Sequence, residues 1–201
     1  MIHSPLRYTI GVDLGKLRNH SALAVLERRY HAATVEEFIR SGTRGYQGEE
    51  RYTVIGSDRL ALGTPYPRVV QWVKEVADQY RKDLGWIVVD ATGVGSVVMD
   101  LFHQADLGVR PIGLTVTTEH TSGPGGTRVN PSGYQTVSRM DLLIKLQLAI
   151  QEKKFRVDTK KCREWDALRQ ELAGLSLEGK RRSGQDDLAF ALALAVWQGL
   201  R

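Results

Sequence analysis

The stretch Ile10-Gly11-Val12-Asp13-Leu14-Gly15 is a short apolar run that ends by presenting a carboxylate. Ile and Val favour a pleated strand, and the Asp then falls where that strand leaves the core. The same pattern recurs as Ile87-Val88-Val89-Asp90. A third acidic placement, Gln185-Asp186-Asp187-Leu188, opens an Ala- and Leu-rich segment of helical character. Three carboxylate positions thus border one apolar core. An ionised carboxyl is costly to withdraw from water unless a positive charge neutralises it, so their convergence implies a cation.

Working outward from the first run, Ala22 to Leu26 restarts the apolar character after the polar turn Lys16 to Ser21, which predicts a hairpin. Thr34 to Ile39 alternates apolar and acidic residues and is expected as a third, antiparallel strand. Ser41 to Thr64 is rich in Gly and charge, with a short apolar patch at Val54-Ile55, and is expected as a long loop. Pro65 or Pro67 starts a helix whose apolar face carries Val69, Val70, Trp72, Val73, Val76 and Tyr80. Trp86 to Val89 then reads as a buried strand. The turn after Asp90 leads into a helix with Val97, Val98, Leu101 and Phe102, and Val109 to Val116 makes the next strand. Thr117 to Gln135 holds Gly123-Pro124-Gly125-Gly126 and Asn130-Pro131, the marks of a mobile loop or hairpin. Helices follow from Met140, from Cys162 to Leu172 and from Gly184 to Trp197, with a short strand at Phe155 to Val157. The order describes an α/β fold with a mixed central sheet flanked by helices. Neither a repeat nor a linker divides residues 1–201, which are expected to form a single domain.

Of 201 residues, 42% are hydrophobic and 25% charged, the composition of an ordinary soluble globular chain. The formal net charge of +5 favours polyanionic partners. A lone cysteine, Cys162, excludes an intramolecular disulfide and a cysteine-based zinc site. The apolar run near Leu188 to Trp197 is too short to cross a bilayer, and the N-terminus lacks the pattern of a secretory leader. A cytoplasmic protein with no membrane partner is expected.

Neighbouring strands can bring Asp13 and Asp90 within several ångströms of each other, the spacing a metal pair requires. Two Mg²⁺ or Mn²⁺ ions roughly 4 Å apart can activate water and stabilise a leaving oxygen in phosphodiester hydrolysis, held by hard carboxylate oxygens. In that arrangement Asp13 bridges the ions, Asp90 holds one side, and Asp186 or Asp187 closes the other. Adjacent helical residues diverge by about 100°, so one of the pair points into the site, and we favour Asp187. Each acid also has a structural explanation. The Asp pair can cap a helix, Asp13 can serve a strand-end turn, and Asp90 can form an Asx-turn into Thr92 and Gly93.

Taken together, Gly11-Val12-Asp13-Leu14-Gly15 with Ser21-Ala22, Val89-Asp90-Ala91-Thr92-Gly93-Val94-Gly95, and Gly184-Gln185-Asp186-Asp187-Leu188-Ala189 resemble the RNase H-like superfamily. Within it, the nuclease domain of phage large terminases is the nearest match, over most of the chain. The resemblance implies metal-dependent cleavage of double-stranded DNA at the start and end of viral genome packaging. It also implies partnership with a terminase ATPase domain, a small terminase and a portal, in the host cytoplasm. No ATPase motor is expected within residues 1–201, which look like the nuclease domain alone, excised or separately encoded. Gly174 to Arg181 approaches a phosphate-binding loop, but Arg181 stands where a Ser or Thr would hold Mg²⁺.

Lys180, Arg181 and Arg182 precede the Asp pair and are placed to bring the DNA backbone to the metals, as are Lys16 and Arg18 just past Asp13. A second basic group, Lys153, Lys154, Arg156, Lys160, Lys161 and Arg163, suits either phosphate contact or a solvated face. Ser96 and Thr92 lie at a helix N-terminus that could receive a phosphate. His20 and His103 lack metal-ligand spacing and read as surface or turn residues. Two rival readings are a Holliday-junction resolvase of the same superfamily and an actin-like ATP-binding fold, which also begins on a strand bearing Asp-Leu-Gly.

Overall fold

The computed structural model describes residues 2–3, 7–15, 19–32, 49–93, 95–118, 127–129, 135–152, 155–175 and 185–200. Its strands are β1 (Ile2–His3), β2 (Arg7–Asp13), β3 (Ala22–Ala32), β4 (Glu49–Arg59), β5 (Leu84–Asp90), β6 (Ile112–Thr117), β7 (Thr127–Val129), β8 (Gln135–Ser138) and β9 (Phe155–Val157). Its helices are α1 (Tyr66–Gln79), α2 (Gly95–Gln104), α3 (Arg139–Gln151), α4 (Trp165–Gly174) and α5 (Asp187–Gly199). The strands form one mixed sheet in the order β7-β8-β6-β5-β2-β3-β4-β9, with β1 on β3. β2, β3 and β4 pair antiparallel, whereas β5, β6 and β8 extend from β2 in parallel. This is the RNase H-like α/β architecture expected from the sequence.

Alternation along the strands divides the core between the two faces of the sheet. Ile10, Val12, Ile87 and Val89 face α1 and α2, together with Val69, Val73, Met99 and Phe102. Val88, Leu114 and Val137 face α3, α4 and α5 instead, with Leu142, Leu146 and Leu168. α5 is buried along its whole length, which explains why its sequence is apolar on every side. Its seat on the sheet is Gly11. A Cβ built there would stand 2.0 Å from the Ala191 carbonyl oxygen and 2.6 Å from the Ala195 nitrogen, so only glycine permits this approach of helix to strand.

The structure corrects the expectation for Ser41 to Thr64. Eleven of these residues form β4, paired with β3 from His31↔Glu49 to Ala22↔Arg59. The pairing shifts register between Val25 and Leu26, which leaves Ile55 as an extra residue opposite β3, and Val54 and Ile55 are buried in succession, one in each layer of the core. The period-two signal is therefore broken where the apolar patch sits. The strand expected at Thr34 to Ile39 lies outside the described residues. Within Thr117 to Gln135, β7 returns antiparallel onto β8, which is the hairpin form of the expectation. Trp86 is 45% exposed, so β5 is not buried throughout. Cys162 is buried beneath β4, its thiol donating to the Val54 carbonyl, an environment that pushes the thiol pKa up. Among the described residues, no helix is long and apolar enough to cross a membrane.

Candidate active site

The β2–β5 ladder runs Gly11↔Val88 and Val12↔Val89, so the next step sets Asp13 beside Asp90. Adjacent strands are about 4.8 Å apart. Because Val12 and Val89 point toward α1 and α2, alternation turns both Asp side chains to the other face, where α5 begins. Asp13 keeps some solvent exposure at its strand end, yet its carboxyl is densely surrounded. Burial holds its pKa well above the ordinary value, the charges of Asp90, Asp187 and Asp186 push it further, and Arg139 opposes them. The acids from three distant parts of the sequence are thus electrostatic neighbours.

Asp187, the first residue of α5, is 3% exposed. Burial raises its pKa and the charge of Asp186 adds to this, while Arg59, His20 and the His20 backbone N–H pull it down. Its Oδ2 is buried and lacks a hydrogen-bond partner among the described residues. A carboxylate oxygen left in that condition is costly unless it is protonated or a cation neutralises it. Asp186 occupies the N-cap position without making a capping hydrogen bond, and its carboxylate pairs with Arg139.

The cap comes from elsewhere. Glu171 on α4 accepts the backbone N–H groups of Leu188 at 2.8 Å and Ala189 at 3.0 Å through one oxygen. Its other oxygen accepts from Arg59 at 3.0 Å. Burial raises the Glu171 pKa, opposed by these hydrogen bonds and by Arg59. Glu171 therefore satisfies two of the orphan donors at the start of α5, a role that neither aspartate of the pair fills with its side chain. Arg59 ends β4 and stands in the same row as Ala22 and Asp13, since Asp13 pairs with Ala22 and Ala22 with Arg59. Besides Glu171 it donates to Gln185 at 3.0 Å.

Asp90 does form the Asx-turn, accepting the Thr92 N–H at 2.8 Å, with Gly93 at φ +66° completing the bend. The Thr92 hydroxyl accepts the Val116 N–H at 2.7 Å and so ties the turn to β6. Across the site, Gly15 N–H donates to the Ser21 hydroxyl at 3.1 Å and closes the hairpin turn. His20 in that turn is half-buried, and its Nδ1 lies 2.7 Å from the Leu60 carbonyl. A carbonyl only accepts, so Nδ1 carries a proton.

Lys16, Arg18, Lys180, Arg181 and Arg182 lie outside the described residues, as do Lys153 and Lys154. Of the second basic group, Arg163 is 83% exposed and pairs with Asp58, while Lys161 faces Asp158 at 3.8 Å, a solvated arrangement. Sequence reasoning missed Glu171, Arg59 and Arg139, and gave His20 only a turn role. Hard carboxylate oxygens and the unsatisfied Asp187 Oδ2 suit a divalent ion. Among the described residues, no group of three or more acidic, histidine or cysteine side chains is arranged so that it could hold a metal ion.

No protein-family model matches the chain, and no curated protein sequence matches it. Solved structures do. The large terminase nuclease from thermophilic phage G20c is 18% identical with a TM-score of 0.56, covering 96% of this chain and 82% of that one. The Mn-soaked human cytomegalovirus terminase nuclease domain is 10% identical with a TM-score of 0.56, covering 94% and 81%. The nuclease domain of the bacteriophage SPP1 large terminase, with bound Mn, is 11% identical with a TM-score of 0.50, covering 96% and 86%. These likenesses establish the fold.

Proposed function

We propose that residues 1–201 act as a divalent-metal-dependent endonuclease domain of a terminase large subunit, hydrolysing double-stranded DNA during viral genome packaging. The observation that carries this reading is the buried, unsatisfied Oδ2 of Asp187 on α5, facing the strand ends that bear Asp13 and Asp90. Asp13, Asp90 and Asp187 would hold two Mg²⁺ or Mn²⁺ ions. Bound there, the metal supplies activated water and stabilises the leaving oxygen as a phosphodiester P–O bond breaks. The chain's own residues prepare the site. Gly11 admits α5 against β2, Glu171 caps α5 so that Asp187 stays available, and the Thr92 N–H fixes one oxygen of Asp90. The ATPase domain, small terminase and portal are the proposed partners, and the host cytoplasm the proposed location.

The test is cleavage of supercoiled and linear plasmid with Mg²⁺, Mn²⁺ or EDTA, running Asp13→Asn beside the wild type. We expect cutting that needs the metal and falls by about 10³-fold in the variant, the scale on which loss of a key electrostatic group acts. Wild-type rates in Asp13→Asn, or no cutting by folded wild type with either metal, overturn the proposal. Preference for junctions over linear duplex would move it to a resolvase.

A further inference from the structure

β8 runs parallel to β6, β5 and β2, so Arg139, the residue after β8, stands at the sheet end that carries Asp90 and Asp13. Its placement is fixed from two sides. The guanidinium carbon sits 4.4 Å from the centre of the Phe190 ring on α5, and Nη2 pairs with Asp186. Ser138 anchors the backbone by accepting the Asp141 N–H at 3.2 Å, capping α3. The arginine on the opposite flank is used differently. Arg59 is 12% exposed and is committed to Glu171, Gln185 and Glu164, all around the start of α5. Arg139 keeps 27% of its side chain open to solvent and is engaged by a carboxylate that is itself 18% exposed.

We propose that Arg139 binds a phosphodiester of the DNA at this site, and that Asp186 occupies its guanidinium until a phosphate displaces it, rather than serving as a metal ligand. This rests on the nuclease reading. A guanidinium presents five donors in a planar fork that matches phosphate as well as carboxylate. Contact with the Phe190 ring holds the guanidinium in place, so a phosphate arriving at the rim meets a donor set already positioned. The need is electrostatic: carboxylates gathered at one strand end repel the DNA backbone, and a fixed cation at their border offsets this. The proposal also separates the adjacent aspartates, Asp187 turning into the core and Asp186 outward to Arg139.

The two readings of Arg139 predict effects of different sign. Binding of a fluorescent linear duplex is measured against salt with Ca²⁺ replacing Mg²⁺, for the wild type, Arg139→Ala, Arg139→Lys and Asp186→Asn. If Arg139 takes a phosphate, Arg139→Ala weakens binding about tenfold and lowers the salt slope by about 1. Arg139→Lys then recovers the slope but only part of the affinity, since the charge returns without the fork. Asp186→Asn tightens binding, because it releases the guanidinium and removes a negative charge. An unchanged salt slope in Arg139→Ala overturns the proposal. So does a parallel loss of duplex affinity in Arg139→Ala and Asp186→Asn, the result expected if the arginine only props up a ligand. Should Arg139→Ala fail to fold, the Arg139→Lys and Asp186→Asn pair still decides. Wild-type protein that neither binds nor cuts duplex defeats the nuclease reading, whereas wild type that cuts beside an Arg139→Ala with unaltered slope defeats this assignment alone.

Discussion

Gly11→Ala tests whether the packing of one helix on one strand sets the chemistry at its end. The added Cβ would lie 2.0 Å from the Ala191 oxygen against an ordinary contact of 3.4 Å, so the separation must open by roughly 1.4 Å. Backbone of α5 is the obstacle, and backbone cannot rotate aside as a side chain can. Overpacking a filled core costs about 1–3 kcal/mol, and the upper end applies where a whole helix has to move. For a chain of this size about 3 kcal/mol lowers the melting temperature by about 6–12 °C. The effect on cleavage should be larger than the effect on folding. Asp187 begins α5 and rides with it, and a misplacement of about 1 Å at a reacting centre can cost about 10²-fold in rate. Gly199→Ala is the control, since its Cβ meets the Leu26 Cδ2 at 3.0 Å, the end of a side chain that can yield. The assay is a thermal melt alongside metal-dependent plasmid cleavage below the melting range. Gly11→Ala with the melting temperature and cleavage rate of the wild type would refute the reasoning.

Three further outcomes are expected. Glu171→Ala removes the cap of α5 and a buried partner of Arg59, and should cost about 3 kcal/mol in a chemical denaturation curve; a change below about 0.5 kcal/mol would return Glu171 to an ordinary surface role. Burial and like charge raise the pKa of Asp13, so from the ordinary value of 3.8 upward the folded state binds more protons than the unfolded one. Stability from this group is therefore lost as pH rises through that window, and in EDTA the wild type should gain less than Asp13→Asn between acid and neutral pH. Parallel pH profiles for the two would contradict it. Adding Mg²⁺ or Mn²⁺ at neutral pH should raise the melting temperature of the wild type by mass action and leave Asp13→Asn nearly unmoved, as followed by differential scanning fluorimetry.

Much of the scaffold was legible because burial leaves a plain signature. Ile87-Val88-Val89 is apolar on both sides of a strand covered on both faces, and Phe155-Arg156-Val157 alternates as an edge strand should. β4 was not legible because its charged start, Glu49 to Arg51, and its register shift beside Ile55 break the alternation. Tyr52-Thr53-Val54 did hold a period-two fragment, and weighting it over the neighbouring glycines would have found the strand. In the candidate site, the acids could be read because each ends an apolar run or opens a buried helix. Their partners could not. Glu171 meets Leu188 from 17 residues away, and Arg139 meets Asp186 from 47. On an amphipathic helix such a Glu looks like any solvated acid, and only the packing of α4 on α5 gives it a purpose.

The place of α5 in the chain also governs when the acidic cluster can exist. Asp13 and Asp90 lie on strands that pair early in the chain, but Asp187 comes about a hundred residues after Asp90, on a helix that must slide over Gly11 to reach them. At ribosomal speeds that interval is about 5–20 s. Throughout it the nascent chain holds two carboxylates of the proposed set without the third. Assembly order thus keeps the proposed catalytic set incomplete until the strands and helices that precede α5 have been made.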